Sequence, residues 1–191
     1  MVAMASDRGS AGVAVSERHG VRLNVCCGRH VLDGWTNIDI APSPDAKRPP
    51  EILADAKAIP LDDCCADELM VIHGFEHFYR WECDQAITEW RRLLKVGGLL
   101  VLELPDLLKC CENILTGFTF GGKDPDQSGM WGLFGDPREK NPYMNHRWGW
   151  TPKTLRAFLS KHRFTDIVDA VTQWHPAGRI HRDMRIEARK V

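Results

Sequence analysis

The chain has 191 residues, a net charge of −1 and 27% charged side chains. That length suits one domain able to bury roughly 70% of its unfolded surface, and the near-neutral balance gives no basic field for nucleic acid. No apolar run approaches the ~20 residues of a membrane span, and the small, polar first 20 residues lack a signal-peptide core, so a loose tail on a cytoplasmic protein is expected.

Residues 23–26 form a short apolar run that reads as a buried strand and breaks on Gly28, where the chain can turn tightly. A polar turn through Asp33 and Gly34 leads to a second strand over 36–40, with Asp39 near its carboxyl end. Strand, glycine turn and acid on the next strand is the logic of nucleoside binding in open α/β sheets, the carboxylate accepting from ribose hydroxyls. A dinucleotide fingerprint wants three glycines and an acid about 20 residues on. Here Gly28 stands alone and Asp39 follows by 39 − 28 = 11 residues. This argues against NAD or FAD and for a ligand with a ribose but no phosphate, such as S-adenosylmethionine.

A proline-rich loop over 41–50 precedes a short strand at 51–54 that ends on Asp55. After a turn at 62–67, residues 68–73 make a strong strand, followed by Gly74, Phe75, Glu76 and His77. Residues 82–95 have helical period, with Ala86, Ile87, Trp90, Leu93 and Leu94 on one face and Gly97-Gly98 as the stop. Residues 99–104 form another buried strand. This alternation predicts a parallel sheet with right-handed crossovers.

Beyond Asp106 the period weakens: 107–115 can be a helix, and 116–150 is rich in Gly, Pro, Trp and Phe without a pattern. So long a loop in a compact domain is usually functional. We expect it to cover the substrate and to be the least ordered part of the free protein, with Phe118, Phe120, Trp131, Phe134, Tyr143, Trp148 and Trp150 available to close over a ligand or to make a dimer contact. Thr151-Pro152 starts a helix over 153–161. Residues 164–172 read as a strand, and 183–191 as an antiparallel strand half exposed to water. The seven cysteines include three adjacent pairs and no C-x-x-C, so they read as reduced, small hydrophobes.

With these pieces placed, the chain resembles the class I, Rossmann-like S-adenosylmethionine-dependent methyltransferases of small-molecule type, from about Arg22 to the C-terminus. LNVCCG followed by GWTNIDI is similar to that family's first glycine motif and ribose-binding acid, and ADAKAIPL to its third motif. VIHGFEHF and RRLLKVGGLLVLELP are similar to its fourth strand and its helix-to-strand turn. The resemblance implies a seven-stranded, mostly parallel sheet of order 3-2-1-4-5-7-6 with strand 7 antiparallel and helices on both faces. It also implies a single domain over 21–191 with a substrate-side insertion at about 106–150. Two departures stand out. Cys26 occupies the place of the first glycine, and only nine residues separate it from Thr36, which cuts the first crossover helix to about a turn.

The activity implied is methyl transfer from S-adenosylmethionine, leaving S-adenosylhomocysteine, to a small-molecule acceptor by in-line displacement. Neither nucleic acid nor membrane is expected as a partner, and the oligomeric state is open. Asp39 and Ile40 would meet the ribose, Gly28 with Cys27 would offer backbone to the methionine end, Asp55 and Ala56 would meet the adenine, and His73 and Gly74 would line the crevice. His77 would serve as a base where the acceptor carries a proton to lose, and His146 would close over the substrate. Two other readings compete. One is a non-catalytic protein that binds S-adenosylmethionine. The other is a zinc metallopeptidase using the inverted signature His73/Glu76/His77. That signature needs a helix, whereas His73 ends a strand and Gly74 breaks it, so no metal site is expected.

Overall fold

The computed structural model describes residues 20–119, 127–174 and 181–191. The tail at 1–19 and Phe120, Gly121 and Gly122 of the insertion lie outside the described residues. Seven strands form one sheet: β1 (Arg22–Val25), β2 (Thr36–Asp39), β3 (Ile52–Leu53), β4 (Ala66–Ile72), β5 (Leu94–Pro105), β6 (Phe164–Ala170) and β7 (Asp183–Lys190). Their order is β3-β2-β1-β4-β5-β7-β6. β7 runs antiparallel to both β5 and β6, and the remaining pairings are parallel. This is the expected order.

Alternation along the strands sends Leu23, Val25, Ile38, Leu69, Val71, Leu100, Leu102, Leu104 and Ile186 to one face. There they join the apolar stripes of α1 (Arg80–Leu93) and α4 (Pro152–Lys161) in a single cluster. Trp90 of α1 is fully buried in it, donates its indole N–H to the Ala56 carbonyl at 2.9 Å, and meets the ring of Phe75 at 5.1 Å. Phe75 in turn stacks on Trp150 at 5.5 Å. The residue after the β4 turn thus ties the core to the far end of the insertion.

The opposite face is mixed, with Met70 and Val101 buried beside polar groups. Asn24 and Asn37, both buried, meet at 2.8 Å across β1 and β2. Asn37 also accepts from the Leu32 amide at 2.8 Å and donates to the Leu32 and Trp35 carbonyls at 2.9 and 3.1 Å. Further along, Glu103 accepts from the amides of Gln173 and Trp174 at 3.0 and 3.1 Å. The residue of helix expected between β1 and β2 is not there: 26–35 is a series of turns. A side-chain amide satisfies the backbone groups that a helix would have satisfied internally.

Three other expectations are corrected. α1 ends at Leu93 with Leu94 extended, and Gly97, at φ 76°, bends the chain within β5 instead of capping the helix. β7 is buried along most of its length, because β5 and β6 flank it on both sides. The helix allowed at 107–115 is α2 (Leu107–Thr116), but 116–150 is not patternless: α3 (Gln127–Phe134) and a 3-10 turn (Pro142–Met144) occupy it, and 145–150 is bonded back to the sheet end. No helix among the described residues is long and apolar enough to cross a membrane.

The Asn37 network carries a prediction. Asn37→Ala strips partners from Asn24, from the Leu32 amide and from two carbonyls, and should lower stability by about 2–3 kcal/mol. Chemical denaturation measures this, and a loss under ~0.5 kcal/mol would show that water replaces the amide.

Candidate active site

The carboxyl ends of β1, β2 and β4 meet where open α/β sheets hold their ligands. The β1 turn is built from three residues in sequence. Cys26 has φ 56° and Gly28 φ 51°, both in the left-handed region. A Cβ placed on Gly28 would meet nothing within 4 Å, so the space before it is open. Asp39, at the end of β2, closes the turn: its Oδ2 accepts from the Gly28 amide at 2.7 Å and its Oδ1 from the Ile40 amide at 2.8 Å. The carboxylate expected at a ribose is therefore also the brace of the glycine turn. Cys27 departs from its expected role. Its amide donates to Ile38 and its carbonyl accepts from His30, so both backbone groups are committed inside the turn. Burial, then the nearby Asp39 carboxylate, pushes its thiol up to about 12.

Ile40 is 59% exposed beside Asp39 and presents an apolar surface to the crevice. Asp55 accepts from the Lys57 amide at 2.9 Å and pairs with the Lys57 ammonium at 3.3 Å, the turn-capping arrangement of a strand-end acid. Ala56 is buried in the core and engaged through its carbonyl by Trp90. The structure thus gives Asp55 and Ala56 work within the fold.

β4 is followed by His73, which sits at φ 48° with its ring between two carboxylates. Its Nδ1 lies 3.0 Å from Glu76 Oε1 and its Nε2 3.1 Å from Asp183 Oδ2. Burial pulls its pKa down, but hydrogen bonds to Asp183 and Glu76 outweigh that and lift it to about 9. In return, Glu76 is raised by burial yet held at about 2, chiefly by the His73 hydrogen bond. With each ring nitrogen on a carboxylate, His73 has no nitrogen left to ligate a metal. This removes the His73/Glu76/His77 zinc signature. Gly74 is fixed by closeness: a Cβ there would stand 2.6 Å from Cys26 Cβ and 2.9 Å from Val71 Cγ1.

Glu76, His77 and His146 come together, although the two histidines are 146 − 77 = 69 positions apart. The rings of His77 and His146 meet edge to face at 4.9 Å. Arg147 donates its amide to the Glu76 carbonyl at 2.8 Å, which seats His146 over the β4 turn. His77 Nδ1 lies 3.2 Å from the Asn145 carbonyl and His146 Nδ1 2.9 Å from the Gly132 carbonyl. A carbonyl only accepts, so both contacts put a proton on Nδ1 and make Nε2 the nitrogen that can ligate or accept when the ring is neutral. Burial keeps His146 below its usual pKa.

Sequence reading missed Asp183, which no local pattern marks, and gave Glu76 no part outside the zinc signature. A cleft of about 490 Å³, lined by Arg80, Trp148, Thr151, Thr154, Phe158 and Lys161 among others, lies beside α4 and includes none of the expected site residues.

Residues 29–102 match the methyltransferase domain family, a segment that starts one residue past Gly28 and spans Asp39, Asp55 and the β4 turn. No curated protein sequence matches the chain. Among solved structures it is similar to a SAM-dependent methyltransferase from Archaeoglobus fulgidus, with 15% identity over 90% of this chain and 86% of that one, at TM-score 0.59. One from Methanosarcina mazei shares 18% identity over 89% and 92%, at TM-score 0.58. The Burkholderia thailandensis 1,6-didemethyltoxoflavin-N1-methyltransferase, solved with 1,6-didemethyltoxoflavin and S-adenosylhomocysteine, shares 14% over 90% and 71%, at TM-score 0.56. At these identities the likeness is one of fold.

Two predictions follow from the β4 turn. Gly74→Ala should cost about 1–3 kcal/mol through overpacking, and Cys26→Gly in the same chain should recover part of that loss by removing the opposing Cβ. Equal losses in both backgrounds, by thermal unfolding, would contradict the contact. His73→Asn, which tolerates the left-handed conformation but removes the cation, should cost about 3 kcal/mol or more by leaving Glu76 and Asp183 buried without it. A loss below ~1 kcal/mol would show the clamp to be dispensable.

Proposed function

Because the chain has the fold of the class I S-adenosylmethionine-dependent methyltransferases and carries a methyltransferase-domain segment, we propose that it is a methyltransferase acting on a small molecule. The observation that carries this is Asp39 at the end of β2, bracing an open glycine turn. The residues present fit the cofactor. A carboxylate has about four acceptor positions, and the close bonds from Gly28 and Ile40 leave Asp39 able to accept ribose hydroxyls. Exposed Ile40 offers an apolar wall, and the open space at Gly28 admits the amino-acid end. Asp55 is half exposed, with acceptor capacity beyond its Lys57 contacts for an adenine amino group. Bound there, S-adenosylmethionine supplies a sulfonium methyl for displacement.

The chain's own work is positioning. The Cys26–Gly28 turn and Asp39 orient the donor, while 145–148, bonded to the Glu76 carbonyl, hold the acceptor side. His77 and His146 present imidazole lone pairs toward that side. Alignment of nucleophile and methyl within about 3–3.5 Å is the main requirement of such a displacement. We read 21–191 as one domain with 106–150 on the substrate side. The free cysteines fit a reducing, cytoplasmic compartment.

Calorimetry tests the reading. S-adenosylhomocysteine should bind and NAD should not; the reverse would sink it. Asp39→Ala should weaken S-adenosylhomocysteine roughly 10- to 150-fold. Because Asp39 also braces the turn, the same change should lower the stability of the free protein by about 1–2 kcal/mol, contrary to the neutrality expected of a merely solvated ligand group.

A further inference from the structure

We propose that Glu76, His77 and His146 form a binding site for a divalent first-row transition cation at the carboxyl edge of the sheet. One ligand atom from each lies within 4.8 Å of the others. Two donors on one such ion stand roughly 3–3.5 Å apart, with metal–ligand bonds of about 2.0–2.2 Å. Closing the trio thus asks each side chain to move inward by no more than about 1 Å. Two imidazoles and one carboxylate are a donor set suited to zinc, manganese or ferrous iron, not to calcium or magnesium.

Three independent features point the same way. Glu76 is buried, and its Oε2 has no hydrogen-bond partner. A buried carboxylate oxygen left unpaired bears its desolvation cost uncompensated, and a cation would remove that cost. Next, both histidines have Nδ1 on a backbone carbonyl, His77 on Asn145 and His146 on Gly132. Metal-binding histidines characteristically anchor the second ring nitrogen in this way, which sets the tautomer and aims Nε2 at the ion. Lastly, His73 Nδ1 lies 3.0 Å from Glu76 Oε1, and its other ring nitrogen is on Asp183, so it contributes no ligand itself. The carboxylate is thereby supported by an outer partner.

Three protein ligands leave coordination positions open to water or to an oxygen-bearing ligand, as in catalytic sites and unlike closed structural ones. The arrangement differs from the inverted zinc signature: His146 takes the place that signature gives to His73. It also departs from the absence of metal expected from sequence. The inference stands on the donor geometry alone and holds whether or not the crevice takes S-adenosylmethionine.

Cobalt is the probe, because thiolate ligation from any of the seven cysteines would announce itself as a sulfur-to-metal charge-transfer band. Chelator-treated full-length protein titrated with Co²⁺ should bind one ion per chain, with ligand-field absorption and no such band. Zn²⁺ should compete for the same site in calorimetry. His77→Ala and His146→Ala should each weaken Co²⁺ at least tenfold. His77 is only half buried, so His77→Ala should fold, and its unfolding midpoint without metal should stay near that of the parent. Addition of metal should raise the midpoint of the parent and leave that of His77→Ala unmoved. No bound cobalt, a thiolate band, or affinity unchanged in both variants would overturn the site.

Discussion

The carboxyl edge of this sheet depends on one partly buried histidine between two buried carboxylates. His73, the residue just past β4, adopts a left-handed backbone that a residue with a side chain enters at a cost of roughly 1–2 kcal/mol. Glu76 and Asp183 compensate by accepting its two N–H groups. The turn reverses the chain after β4 and drops Phe75 into the core against Trp90 and Trp150. It also presents the Glu76 carbonyl to the Arg147 amide. Because Asp183 opens β7, the same ion cluster ties the centre of the sheet to its antiparallel strand. Arg182, 2.6 Å from Asp183, supplies the second positive charge that keeps this carboxylate ionised.

A second constraint lies next to the first. Gly74 has no room for a Cβ because Cys26 leans across from the β1 turn. Burial first, then the fields of Asp39 and Glu76, raises the Cys26 thiol well above its ordinary pKa, so it stays protonated and serves as a small apolar contact. The β1 turn, braced by Asp39, and the β4 turn, clamped by His73, are therefore in contact through one side chain. The turns proposed to hold donor and acceptor are joined there.

Much of this was legible in the residues. Apolar runs at strand length and a glycine turn followed by an acid identify a parallel sheet, and the resemblance that the motifs carry implies its strand order. They also place Asp39 and Gly28 at one edge. Less was legible wherever the determining partner is distant or is a side chain doing the work of backbone. Asp183 meets His73 across 110 positions, and nothing in the pattern of 183–191 marks its first residue as a buried counter-ion. Asn24 and Asn37 read as ordinary strand residues, yet their amides stand in for a crossover helix. The glycine-rich composition of 116–150 hides α3 and the bonds of 145–148 to the sheet, because those contacts are tertiary. The sequence singles out His77 and His146 separately, and Glu76 only within the zinc signature, while the meeting of the three emerges only from the fold.

A crystal structure grown with S-adenosylhomocysteine tests the central claim most directly, that the linked β1 and β4 turns are a preformed nucleoside crevice. The account predicts the ribose hydroxyls within hydrogen-bond distance of Asp39, the amino-acid end over Gly28, and the bonds of Asp39 to Gly28 and of His73 to Glu76 and Asp183 unchanged. A nucleoside bound elsewhere, or a crevice that forms only after the His73 clamp opens, would contradict it.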